Sequence, residues 1–132
     1  MTVVVDSALS FLRGDTLSQA IAGLGDLTGY SKIWFTAKAG RADRDRAARI
    51  QVEIADGLLR INGKAPASAD NGSIVISDLT DGDIVVTVAA VEMAKVEPFT
   101  GVWDVQALLG TTLVTLGAGM CDVSGDATRA TS

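Results

Sequence analysis

The stretch that decides the fold is Tyr30–Lys38, with the sequence YSKIWFTAK. Ile33, Phe35 and Ala37 alternate along it with other residues. Successive side chains of a β-strand point to opposite faces, so this period of two predicts a strand with one buried face. Trp34 falls on the opposite face. Its position predicts either a strand covered on both faces or a contact with another subunit, where tryptophan is favoured.

Short alternating runs separated by turn residues continue along the chain on both sides of this strand, as is usual in all-β domains. In the run Ala48–Ala55 the apolar residues are expected inward, and Gln51 and Glu53 outward. The run Val91–Glu97 instead favours a short helical turn, which Pro98 ends. The predicted strands are Val3–Val5, Thr16–Ala22, Tyr30–Lys38, Ala48–Ala55, Leu58–Asn62, Ser73–Ser77, Asp83–Ala89, Gly101–Leu109, Thr111–Leu116 and Gly119–Val123.

These runs predict an all-β fold, an antiparallel β-sandwich with one short helical turn. Two stacked sheets would bury one face of every strand, and a small barrel is the alternative. The chain has 132 residues and no linker or repeat, so residues 1–132 are expected to form one domain. Residues 1–7 and 125–132 are expected to act as extended arms.

Composition argues against several classes of function. The 11 basic and 16 acidic residues give a net charge of −5, which is unfavourable for binding nucleic acid. No apolar run reaches the roughly 20 residues that a membrane span needs. The chain has no histidine, so it lacks the commonest general base and zinc ligand. We therefore expect no enzymatic activity, no cofactor and no metal site.

Two motifs that resemble functional sites have simpler interpretations. The acidic segment Asp78–Asp83 lacks the ligand spacing and the distal glutamate of a calcium loop, so a hairpin turn at Asp81-Gly82 is favoured. Arg13-Gly14-Asp15 is interpreted as a turn before a strand. Cys121 is the one cysteine, and it is expected to be a small buried apolar residue.

The candidate site residues are interface residues. The segment from residue 41 to residue 49 carries four arginines and two aspartates between two predicted strands. It is either a solvated loop with weak local ion pairs or a contact with another subunit, since interfaces are enriched in arginine. The predicted interface residues are Arg41, Arg44, Arg46, Arg49 and Trp34.

The order of several segments resembles a family of small bacteriophage virion proteins, over about residues 10 to 129. The resemblance is to the N-terminal domain of siphophage baseplate upper proteins. It depends on an RGDT start at residues 13–16, on DLTG at residues 26–29 before the strand at residues 33–38, and on GVWDVQ at residues 101–106. It implies an immunoglobulin-like sandwich that attaches to other virion proteins and has no catalytic residues.

From this resemblance we expect a non-enzymatic structural protein of the virion, made in the cytoplasm of the bacterial host. Its expected partners are tail, baseplate or capsid subunits, and we expect a homo-oligomer on the particle. We expect no stalk or receptor-binding head after the sandwich, which favours a tail or baseplate adaptor or connector. A capsid decoration (cement) protein is the alternative in the same class. A carbohydrate-binding adsorption module is the alternative of another class.

Overall fold

The computed structural model describes residues 5–6, 8–40, 48–54, 56–66 and 68–125. They form two separate β-sheets around a shared core, which confirms the predicted all-β sandwich and not the barrel. The strands are β1 (Val5–Asp6), β2 (Leu9–Leu12), β3 (Leu17–Ile21), β4 (Lys32–Lys38), β5 (Ile50–Glu53), β6 (Gly57–Ile61), β7 (Gly72–Asp78), β8 (Asp83–Val88), β9 (Phe99–Leu109) and β10 (Thr112–Ser124), and the one α-helix of the described residues is α1 (Ala90–Met93).

The larger sheet has the order β1-β10-β9-β4-β5-β6, and β2 also pairs with β10. The smaller sheet has the order β3-β8-β7. All pairings are antiparallel except those of β1 and β2, which run parallel to β10.

Strand β2 was not predicted. Its four residues, with Leu9 and Phe11 buried, are too short a run to be recognised without the partner strand about 110 positions later.

The described part of the predicted arms is small. Val5 and Asp6 pair with Gly117 and Ala118 in the sheet of their own chain. Gly125 directly follows β10. The other residues of the two segments lie outside the described residues.

The core is formed by the inward faces of the strands. Phe35 and Trp103 are both fully buried, and their rings are stacked with centroids 6.2 Å apart.

The two strands predicted at the end of the chain are one strand, β10. An irregularity in its register between Thr115 and Gly117 explains why the sequence pattern breaks there.

The predicted helical turn is confirmed but shorter, since α1 ends at Met93. Its N-cap residue, Ala89, has no side chain that could bond to the first free amides, which limits a helix of this length. No helix of the described residues is long and apolar enough to cross a membrane.

Candidate functional site

The outer face of the larger sheet, which points away from the core, carries Trp34. This residue is half-buried on β4, directly opposite Glu53 of β5. The indole Nε1 donates a hydrogen bond to Oε2 of Glu53 over 2.7 Å. Lys32 Nζ lies 3.5 Å from Oε1 of the same carboxylate. Trp34 thus lies on the face opposite Ile33 and Phe35, as predicted, and its ring is held by a charge-assisted bond. A contact between Trp34 and another subunit stays a prediction.

The polar residues of β5 correct one expectation. Gln51 and Glu53 do lie on the outer face, but only 6% and 5% of their surfaces are exposed. Gln51 Nε2 donates to Thr36 Oγ1 over 3.1 Å, and Glu53 bonds to Trp34. Cross-strand partners therefore cover these side chains, and hydrogen bonds offset the cost of burying them.

The same face continues over β9 and β10. Gln106 lies opposite Trp34 in the register of β4 and β9, and its Nε2 donates to Thr115 Oγ1 over 3.4 Å. Leu113 and Met120, on either side of Thr115 along β10, are each 55% exposed. The outer face thus combines a hydrogen-bonded polar centre with exposed apolar side chains at both ends.

A cleft of about 370 Å³ lies between the turn after β6 and the segment that joins α1 to β9. Arg49 lines it, with Nη1 3.4 Å from Oε2 of Glu97 and with its guanidinium 5.7 Å from the centre of the Phe99 ring. Lys64 and Lys95 also line the cleft. This cleft, called the end cleft below, holds the one predicted arginine that the structure describes.

Glu92 forms the buried wall of the end cleft, and the sequence did not single it out. Its side chain has no exposed surface. Asn71 Nδ2 donates to Oε2 over 3.0 Å, and Lys95 Nζ donates to Oε1 over 2.9 Å. A charged side chain is rarely buried without such partners. The spacing of Glu92 and Lys95 by three positions on a helical turn is the signal that was available in the sequence.

Asn62 joins the two sides of the end cleft. Its φ of 53° lies in the left-handed region, which asparagine tolerates better than most residues. Its Nδ2 donates to the carbonyl oxygen of Lys95 over 2.6 Å, and its Oδ1 accepts from the N–H of Glu97 over 3.4 Å. One asparagine therefore links the turn after β6 to the segment before β9.

The predicted interface residues do not form one described cluster. Trp34 lies on the outer face, and Arg49 lies in the end cleft. Arg41, Arg44 and Arg46 lie outside the described residues.

The acidic turn has the predicted hairpin geometry. Carboxylate oxygens of Asp78, Asp81 and Asp83 all lie within 4.8 Å of one another. However, Oδ1 of Asp78 accepts from the N–H of Asp81, and Oδ1 of Asp83 accepts from the N–H of Gly23. Two of the three carboxylates thus accept hydrogen bonds that stabilise the turn and the adjacent segment at Gly23.

Cys121 is buried, as expected, with 1% of its surface exposed. Burial, and secondarily the charge of Asp122, raises the pKa of its thiol to about 12. The thiol therefore stays protonated and unreactive at neutral pH.

Comparisons with known proteins identify the fold. The chain matches a marsupial T cell receptor structure with a TM-score of 0.51 at 16% identity, over 92% of this chain and 51% of that one. It matches the NK cell receptor NKp44 with a TM-score of 0.54 at 12% identity, over 92% and 98% of the two chains. The fold is immunoglobulin-like.

A structure of Tim-2 also matches, at 12% identity with a TM-score of 0.45, over 96% of this chain and 99% of that one. The chain spans about half the length of the T cell receptor chain. No protein-family model and no curated protein matches the chain. At these identities the T cell receptor and NKp44 matches establish the immunoglobulin-like sandwich alone.

Proposed function

We propose that this chain is a non-enzymatic structural protein of a bacteriophage virion. In this proposal it acts as an adaptor or connector that joins other subunits of the tail or baseplate. The motif order described above motivates it, and the immunoglobulin-like fold agrees with what that resemblance implies. The structural observation that carries it is the outer face, with Trp34 at its centre and exposed Leu113 and Met120 at its ends.

The composition of this face suits binding to a protein. Tryptophan and methionine are enriched at protein interfaces. Burying the exposed side chains of Leu113 and Met120 would stabilise binding by about 25 cal/mol per Å² of apolar surface. The polar centre already forms hydrogen bonds within the chain, through Glu53, Gln51 and Gln106. A partner can therefore cover it without leaving these groups unsatisfied.

In this proposal, the symmetry of the virion repeats each contact. A small interface that binds weakly as a single copy becomes strong when several linked copies bind together. We therefore expect the chain to form a homo-oligomer on the particle, even if the isolated chain is a monomer.

Immunogold labelling of the phage particles tests the proposal. Antibodies against the purified chain should label the tail tip or the baseplate. Labelling of the capsid would replace the adaptor role with that of a decoration protein. Particles that lack any label, with the chain only in the lysate supernatant, would overturn the proposal.

Rebinding of the chain to particles assembled without it tests the surface. Leu113→Asp and Met120→Asp each place a charge on the outer face and should reduce rebinding about tenfold or more, as at interface hot spots. Val91→Asp is the matched control, because Val91 is 60% exposed on α1, away from this face. Equal rebinding by all three variants would exclude the outer face.

A further inference from the structure

Strand β7 forms an edge of the smaller sheet, and half of its backbone groups face away from its partner β8. The carbonyl of Asn71 accepts from the N–H of Ala89 over 2.7 Å. Backbone bonding alternates along an antiparallel pair, so Ser73 and Val75 bond to β8. The N–H and C=O groups of Ile74 and Ile76 therefore point outward, and no backbone partner meets them within the described residues.

From Gly72 to Ile76 this edge lacks the usual protection against strand pairing, and the register irregularity of β7 lies at its end, between Ile76 and Asp78. The stretch from Gly72 to Ser77 contains no charge and no proline, and Val75 is 56% exposed. Natural proteins usually block such edges with lysine, proline or a bulge. The opposite edge of the same sheet, β3, differs, because Gln19 Nε2 donates to the outward carbonyl of Ala20 over 2.7 Å.

Both ends of the open edge are acidic. A groove of about 260 Å³ runs beside its first residues, and its lining residues include Glu53, Asp56 and Asp70 but no lysine or arginine. Glu53 is paired with Lys32, whereas Asp56 and Asp70 make no ion pair within the described residues. Asp78, which is exposed, lies at the other end of the strand.

We propose that the open edge of β7 receives an extended segment of a partner protein as an added strand. The segment would be uncharged in its middle and would carry lysine or arginine at its ends. The outward groups of Ile74 and Ile76 supply the main-chain bonds, and the acidic ends select the charge. The inference rests on the proposed assembly function only for the source of the segment, a neighbouring virion subunit.

The same charges disfavour pairing of β7 with a second copy of itself. If Ile74 faces Ile76 of the copy, the register places the copy's Asp78 opposite Gly72, two residues after Asp70. Carboxylates of the two copies would then lie near each other at both ends of the paired strands. The acidic ends thus oppose self-association and favour a basic segment.

A synthetic peptide with the sequence KTVTVTR, blocked at both termini, is the probe for the full chain. We expect saturable binding by fluorescence anisotropy, with amide NMR shifts concentrated at Ile74 and Ile76. The control peptide ETVTVTE should bind about tenfold or more weakly, and added salt should reduce this difference. N-methylation of the peptide amides that face β7 should abolish binding.

Two matched proline variants test the edge. Ile76→Pro removes an outward N–H of β7 and should weaken binding of KTVTVTR about tenfold or more. Ala20→Pro makes the same change at an outward N–H of β3 and should leave the binding of KTVTVTR unchanged. Should Ile76→Pro fail to fold, the N-methylated peptide gives the same information without changing the protein.

Several results would overturn the inference. They are the absence of shifts at β7, equal binding of the acidic peptide, and equal loss in the two proline variants. A dimer of the free chain that Val75→Lys dissolves would show self-pairing instead. None of these results alters the immunogold outcome, so the proposed function and this inference fail separately.

Discussion

Trp34 and Glu53 lie directly opposite each other on neighbouring strands, and their side chains are joined by a hydrogen bond of 2.7 Å. Because Glu53 is only 5% exposed, its carboxylate depends on this indole and on Lys32 for its charge to be tolerated. The aromatic residue that the sequence marked as an interface candidate thus also stabilises the sheet beneath it.

Replacing Trp34 by phenylalanine should therefore destabilise the fold. Trp34→Phe leaves Oε2 of Glu53 without its donor, and we expect a loss of about 1–3 kcal/mol in the free energy of unfolding. Urea denaturation measures it. The control Leu113→Ala, at a 55% exposed position on the same face, should stay within about 0.5 kcal/mol. Equal stability of Trp34→Phe and the unmodified chain would show that the bond contributes nothing.

A side chain at Gly82 should destabilise the turn between β7 and β8 more than a side chain at Gly23. Its φ is +78°, and a Cβ there would overlap the backbone of Gly25. Gly23 has a similar φ of +76° but open space around it. Gly23→Ala should cost about 1–2 kcal/mol from the left-handed backbone alone. Gly82→Ala should cost about 1–3 kcal/mol more, from overpacking. Thermal unfolding of both variants gives the comparison, and equal losses would contradict the described contact.

The buried carboxylate of Glu92 should depend on Lys95. Lys95→Met removes a charge-assisted bond of 2.9 Å and should cost about 1.5–3 kcal/mol. Lys64→Met is the matched control, because Lys64 also lines the end cleft but makes no ion pair within the described residues. Its effect should stay within about 0.5 kcal/mol. Denaturant titration measures the free energy of unfolding of the two variants. An unchanged stability of Lys95→Met would mean that Glu92 is satisfied by its other partners.

Cys121 should not react while the chain is folded. Its thiol is 1% exposed, and its pKa is raised to about 12, so little thiolate is present at neutral pH. A colorimetric thiol reagent should react fully in concentrated guanidinium chloride and only at the rate of unfolding without it. Rapid reaction of the native chain would show that the β10 region opens locally.

The carboxyl of Asp26 should titrate below its ordinary pKa of 3.8, because the hydroxyl and then the backbone N–H of Thr28 donate to its charged form. The folded pKa is the lower one, so ionisation of Asp26 stabilises the fold above its ordinary pKa. This contribution is lost as the pH falls through the folded pKa. Carbon-13 NMR titration measures the shift, and Thr28→Ala should move the pKa back towards 3.8. An unchanged pKa in that variant would assign the effect to the backbone bond.

Much of the fold could be predicted from the sequence alone. Strands β4, β8 and β9 were all predicted, and in β4 the residues predicted to face inward, Ile33, Phe35 and Ala37, are buried. This succeeded because side-chain direction in a strand is a local property with a period of two. The turn at Asp81-Gly82 is local in the same sense. Of the site, Trp34 was placed on the correct face. The interface role of Arg49 stays a prediction, and the cleft that Arg49 lines was not foreseen.

Only the tertiary structure decided which residues meet across strands. The pairing of β2 with β10, the burial of Gln51 and Glu53, and the cleft around Glu92 all join segments that are distant in the chain. A local pattern shows the face on which a side chain lies, but its burial depends on the register and bulk of its neighbours on other strands. The open edge of β7 is decided in the same way, because strand order determines which backbone groups have no partner.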